Sequence, residues 1–182
     1  IRILGVLQRI ALAYFFASIM AYFLKPRTII WVSAAILFAY WGLCHFLGTG
    51  DPYSLQGWFG NAVDKSIIGV AHMYKGEGVP FEPEGLASTL PAIVQVVFGY
   101  LTGLFIRNQG QVDWLWTKVP STKEPHFKLL SGLFVTGFIL LLLGWTWSLG
   151  FPINKKIWTS SYVLYTVGLG ILTIGTLIWY IE

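Results

Sequence analysis

Residues 79–106 read VPFEPEGLASTLPAIVQVVFGYLTGLFI: Glu82 and Glu84 bracket Pro83, Gly85 follows, and residues 88–106 carry no charge. About 20 apolar residues suffice for a helix to cross roughly 30 Å of hydrocarbon. Strand-like alternation is absent, and backbone polar groups in lipid must be satisfied within the segment, so a membrane-spanning helix is expected. Two carboxylates at its lip either trim the helix end or serve a reaction. An acidic group at a helix N-terminus is stabilised by roughly 0.3–1 kcal/mol, and Pro83 suits the entry to such a helix. That accounts for one glutamate better than for two, with Ser88 and Thr89 just inside.

Four further apolar segments, 3–24, 28–47, 127–147 and 158–180, have the same length and character. The expected fold is therefore all-α: a polytopic integral-membrane bundle of about five transmembrane helices, forming one domain over residues 1–182. The connections are unequal. KPRT (25–28) is a tight turn, residues 48–87 form one long polar loop, and SLGFPINKKI (148–157) is short. Composition agrees: 55% of residues are hydrophobic and 11% charged, against about 25% charged in soluble domains. The 17% of aromatic residues suits side chains anchored at the two interfaces. The opening IRILGVLQR and the closing LIWYIE both lie against apolar runs, so a longer parent protein is expected.

Some classes are disfavoured. The net charge of +4 is not gathered into a basic stripe, which argues against a nucleic-acid partner. Cys44 stands alone, so neither an internal disulfide nor a cysteine zinc site is expected, and it reads as a small core or lipid-facing residue. His45, His72 and His126 fall in different segments without ligand spacing, so no metal is expected.

Lys25, Arg27, Arg107, Lys118, Lys123 and Lys128 share one side of this topology. Arg2, Lys65, Lys75, Lys155 and Lys156 share the other, with Asp51, Asp64, Glu77, Glu82 and Glu84. The positive-inside rule places the KPRT side in the cytoplasm and the loop 48–87 outside, an extracytoplasmic loop. Whichever way round the chain sits, the start of the first helix, the long loop and PINKKIW meet at one face.

The chemically capable residues lie on that face. Gln8 and Arg9 sit shallow in the first span; an arginine in the hydrocarbon costs roughly 2.5–3.5 kcal/mol unless it snorkels or has a partner. A buried guanidinium could hold a phosphate or carboxylate through its planar fork. Asp64 and His72 flank a short amphipathic piece of the long loop. His72 has the ordinary pKa range for proton transfer, although a single loop histidine is more often a polar surface residue. FPINKKIWTSSY (151–162) suits an interfacial anchor but is unusually polar for that purpose alone. GYLTG (99–103) matches a close-packing motif, which signals packing rather than activity.

Taken together, RILGVLQRIALAYF (2–15), DKSIIGVAHMYKG (64–76), EPEGLASTLPAIV (82–94) and PINKKIWTSSYVLYT (152–166) resemble the transmembrane acetyltransferases related to heparan-α-glucosaminide N-acetyltransferase, including bacterial NagX-like members. The similarity runs over most of the chain in the same order. It implies a bundle of ten or eleven spans, of which this chain supplies the middle to later part, in a bacterial inner (cytoplasmic) membrane. The implied reaction transfers acetyl from cytosolic acetyl-CoA to the amine of a glucosamine-type sugar across the membrane; no metal is implied, and a homodimer is left open.

The resemblance also implies a main catalytic histidine upstream of Ile1, so none of the three histidines here inherits that title. Asp64, His72, Glu84, Gly85, Asn154, Lys155 and Trp158 match positions characteristic of the family, while Glu82 stands where an aspartate is usual. The catalytic candidates are Glu84, Asp64 and His72. The substrate-binding candidates are Gln8, Arg9, Asn154, Lys155, Lys156 and Trp158. Glu84 or Asp64 would attract the ammonium, and Arg9, Lys155 or Lys156 would neutralise donor phosphates. A multi-span transporter or flippase for a sugar or amino compound is the alternative; the paired broken helices expected of one are not evident.

Overall fold

The computed structural model describes residues 2–108 and 125–181, with the side chains of residues 125 and 126 left aside. Lys118 and Lys123 from the charge count, and the His126 side chain, thus lie outside the described part. All regular structure among the described residues is helical: α1 (Val6–Phe23), α2 (Pro26–Leu47), α3 (Phe59–Ile67), α4 (Leu86–Arg107), α5 (Pro125–Trp147) and α6 (Ser160–Ile181), with one 3₁₀ turn at Val70–His72. Five of these, all but α3, are long and apolar enough to cross a membrane. The protein is a helical membrane bundle.

The boundaries follow local chemistry. Leu24 and Lys25 are extended, and Pro26 then starts α2 at a position where a missing N–H is harmless. Residues 3–5, expected inside the first span, are not helical. Gly85 precedes α4 in an extended conformation, and the helix begins at Leu86, two residues before the expected span 88–106. Trp158 and Thr159, expected to open the last span, instead belong to the turn before α6.

Helix α4 is the hub: it packs on α1, α2, α3 and α6, while α5 leans mainly on α6. Ala13 and Ala17 of α1 meet Ala92, Ile93 and Val97 of α4; the alanines are small enough to let the helices approach without a hydrophobic driving force between them. A second cluster joins Leu37, Val94, Leu133, Val163 and Val167 across α2, α4, α5 and α6. At one end of the bundle Trp58, Phe59 and Phe81 of the long loop close over Tyr40, Cys44, Phe151 and Ile157. The long loop is therefore a folded cap, and Cys44 is a core residue.

The close-packing glycines are not those of GYLTG. A Cβ added at Gly99 or Gly103 meets nothing within 4 Å among the described residues. On the α5–α6 face a Cβ at Gly144 would lie 2.5 Å from the Tyr165 nitrogen, and one at Gly168 2.6 Å from that of Leu141. Backbone stands against backbone there, and no side-chain shift relieves it. Gly168→Leu is expected to lower the thermal unfolding temperature in detergent by roughly 5–10 °C. Gly99→Leu should leave it unchanged; equal effects of the two would show that this packing is misassigned.

Candidate functional site

The two glutamates of the opening stretch do not cap α4. That role falls to Asp64 of α3, whose Oδ1 accepts the Leu86 N–H at 2.9 Å. Asp64 is 0% exposed, and its Oδ2 has no partner. A Cβ on Gly85 would come within 1.8 Å of that Oδ2, so only glycine fits between the carboxylate and the helix start. The amphipathic α3 thus turns Asp64 and Asn61, along with Phe59, to its buried side.

Glu82, also 0% exposed, pairs with Arg2 and accepts the Tyr74 N–H at 3.2 Å. Glu84 pairs with the same Arg2, whose guanidinium lies 4.9 Å from the centre of the Tyr74 ring. Hydrogen bonding to Glu82 raises the pKa of Arg2 above its ordinary value. The segment before α1 is thereby strapped across the entry to α4.

Burial, reinforced by the charge of Glu82 and opposed by the Leu86 hydrogen bond, raises the pKa of Asp64 from 3.8 to about 6. The folded state therefore binds this proton more tightly than the unfolded chain. The resulting stabilisation is complete below about pH 4 and is lost as pH rises through 6. Two pH units correspond to about 3 kcal/mol. Asp64→Asn keeps a carbonyl for Leu86 and removes the buried charge. Thermal unfolding in detergent between pH 4.5 and 7.5 should show the variant gaining on the parent as pH rises; a constant difference would contradict it.

Arg9 follows from helix periodicity. With Ala13 and Ala17 it forms an i, i+4 stripe on the buried side of α1. It is 6% exposed, so it does not snorkel. Its Nη1 donates to the Pro83 carbonyl at 3.1 Å, Nη2 has no partner, and the guanidinium stacks 3.7 Å from the centre of the Trp158 ring. Trp158 holds φ at +54°, a left-handed conformation that is uncommon for a bulky residue and often found where geometry serves a function. Its Nε1 donates to Gln95 Oε1 at 3.0 Å.

Arg9, Trp158, Gln95, Glu84 and Lys155 border one cavity of about 520 Å³, completed by apolar side chains of α1 and α4. It presents a guanidinium, an ammonium and a carboxylate together, beneath the Arg2 strap. Such a mixture can hold an anionic group at one place and a cationic one at another.

The polar run FPINKKIWTSSY builds the turn that delivers Lys155 and Trp158. The Asn154 N–H donates to Thr159 Oγ1 at 3.0 Å, and Asn154 Oδ1 accepts the Lys156 N–H at 2.9 Å. Asn154 Nδ2 reaches the Tyr53 carbonyl at 3.4 Å, tying the turn to the long loop. Ser160 and Ser161 donate to the carbonyls of Leu37 and Phe151. Lys156 pairs with Glu77 and does not line the cavity. Gln8 and His72 are exposed and also lie off it.

The expected residues therefore divide. Arg9, Glu84, Lys155 and Trp158 come together, Asp64 and Asn154 support them through backbone contacts, and Gln8, His72 and Lys156 stand apart. Gln95 and Arg2 were not foreseen. Gln95 is signalled in the sequence as the one amide within the α4 run, whereas Arg2 carries no such mark. No protein-family model matches the sequence, and no curated protein matches it.

Proposed function

We propose that the chain belongs to a membrane-bound acyltransferase that moves an acetyl group from acetyl-CoA to the amine of a glucosamine-type sugar across a bacterial inner membrane. The observation that carries this is Arg9: a guanidinium buried at a cavity wall with Nη2 unpartnered, close to a carboxylate and a second cation. Buried charge without a full set of hydrogen bonds is costly, and an incoming anion would complete the set. The donor that the sequence resemblance implies carries phosphates, and these are the anion proposed for Arg9.

In the reaction the amine nitrogen attacks the thioester carbonyl, a C–N bond forms, the C–S bond breaks, and the thiolate leaves to be protonated. The ammonium must first lose a proton. Glu84 is the group at the cavity to attract that ammonium and accept its proton, with Arg9 and Lys155 holding the donor. Asp64 acts from behind, fixing the start of α4 two residues after Glu84.

Sealed vesicles containing the full-length protein, with glucosamine trapped inside and labelled acetyl-CoA outside, test the proposal. Acetylation of the trapped sugar supports it; passage of the sugar without acetylation supports a carrier instead. Glu84→Gln should lower transfer about a hundredfold. Unchanged transfer would leave Glu84 as a partner of Arg2 only.

A further inference from the structure

The contact between Trp158 and Gln95 fixes which way the amide points. An indole N–H can only donate, so the Gln95 atom that meets it at 3.0 Å is the acceptor, Oε1. The indole is held in turn: the Arg9 guanidinium lies 3.7 Å from its ring centre, and the Tyr162 ring meets it edge-on at 5.1 Å. Accepting from Trp158 occupies only the oxygen. Gln95 Nε2 makes no hydrogen bond among the described residues, and the side chain, half-buried in α4, borders the Arg9 cavity.

Arg9 Nη2 is likewise unpartnered. The guanidinium lies on the face of the indole and the amide at its edge, so one side chain sets the place of both donors. They stand within about an indole's breadth of each other. The charges around them favour an anion: Arg9 and Lys155 are on the wall, and Glu84, the carboxylate among the described lining residues, is paired with Arg2. An oxyanion has acceptor oxygens enough for a guanidinium N–H and an amide N–H together, and it would satisfy donors that are costly to leave unmet.

We propose that Gln95 is a ligand-binding and specificity-determining residue: Nε2 donates to the same phosphate that Arg9 holds, and Trp158 is the positioning residue that keeps the amide turned that way. Acetyl-CoA as the source of that phosphate rests on the reaction proposed above; the pair of donors does not.

Isothermal titration of the full chain in detergent at pH 8, with acetyl-CoA and separately with pyrophosphate, tests it, alongside thermal unfolding of the same samples. Gln95→Met should weaken both probes about tenfold. In a Trp158→Phe background, which lacks the indole N–H, Gln95→Met should weaken them about tenfold again. A glutamine that served only to hold Trp158 would have no further effect there, and that result would overturn the proposal. So would parent-like binding by Gln95→Met, or a parent that binds neither probe. Pyrophosphate binding with these losses, but no binding of acetyl-CoA, would uphold Gln95 and remove the acetyl donor from the site. Should the Trp158→Phe proteins not fold, Gln95→Glu decides: it keeps an acceptor for the indole and puts an ionised carboxylate where the donor was. Loss of pyrophosphate binding then supports the proposal, and unchanged binding overturns it.

Discussion

An Arg9→Met protein is expected to bind acetyl-CoA about a hundredfold more weakly while its unliganded form keeps its stability to within about 1 kcal/mol. The two halves have separate causes. Removing one partner from a buried, hydrogen-bonded charge pair typically costs 2–5 kcal/mol of binding, which sets the size of the first effect. In the unliganded protein the same guanidinium has Nη2 unpaired within the bundle. Replacing it by an apolar side chain of similar reach removes that penalty. The lost contacts are the stack on Trp158 and one hydrogen bond to Pro83, whose carbonyl still accepts from Ser88 at 3.0 Å.

Arg9→Lys sharpens the test. A lysine keeps the charge but not the planar fork or the stacking, so donor affinity should stay well below the parent's. Isothermal titration with acetyl-CoA and thermal unfolding of the same samples read both quantities. A large loss of stability with unaltered donor binding would make Arg9 a structural residue, and the cavity would lose its claim on phosphate.

The spans were legible because hydropathy is a one-dimensional property and lipid leaves the backbone only one open-ended structure. Helix ends were less so, since Trp158 and Thr159 look like the start of a span until their side chains are seen building the turn. Arg9 was legible as a polar residue needing a reason, and its spacing from Ala13 and Ala17 separates it from Gln8. Adjacent helical residues differ by about 100° in direction, so the two polar neighbours face different surroundings. What could not be read was pairing at a distance. The cap of α4 comes from another helix, and the Arg2 strap joins residues 80 apart in the sequence. Nothing in composition or local spacing links such partners.

Gly85→Ala is the other substitution from which a large effect is expected: a loss of about 2–4 kcal/mol in stability, together with loss of transfer. The added methyl would stand 1.8 Å from Asp64 Oδ2 and 2.7 Å from its Cγ. Asp64 is fully buried. Overpacking of this kind typically costs 1–3 kcal/mol, and losing the helix cap about 1 more. The displaced α4 entry also carries Pro83 and Glu84, so the Arg9 contact and the cavity's carboxylate move with it.

The second variant distinguishes this cause from a general dislike of alanine at the position. Asp64→Ala alone should cost about the cap. Combined with Gly85→Ala it should be more stable than Gly85→Ala alone, a coupling of about 1–2 kcal/mol, because the methyl then enters space the carboxylate has left. Strict additivity in thermal unfolding would mean that the two residues do not meet. In that event the capping of α4 by Asp64, and the placement of Glu84 that follows from it, would have to be given up.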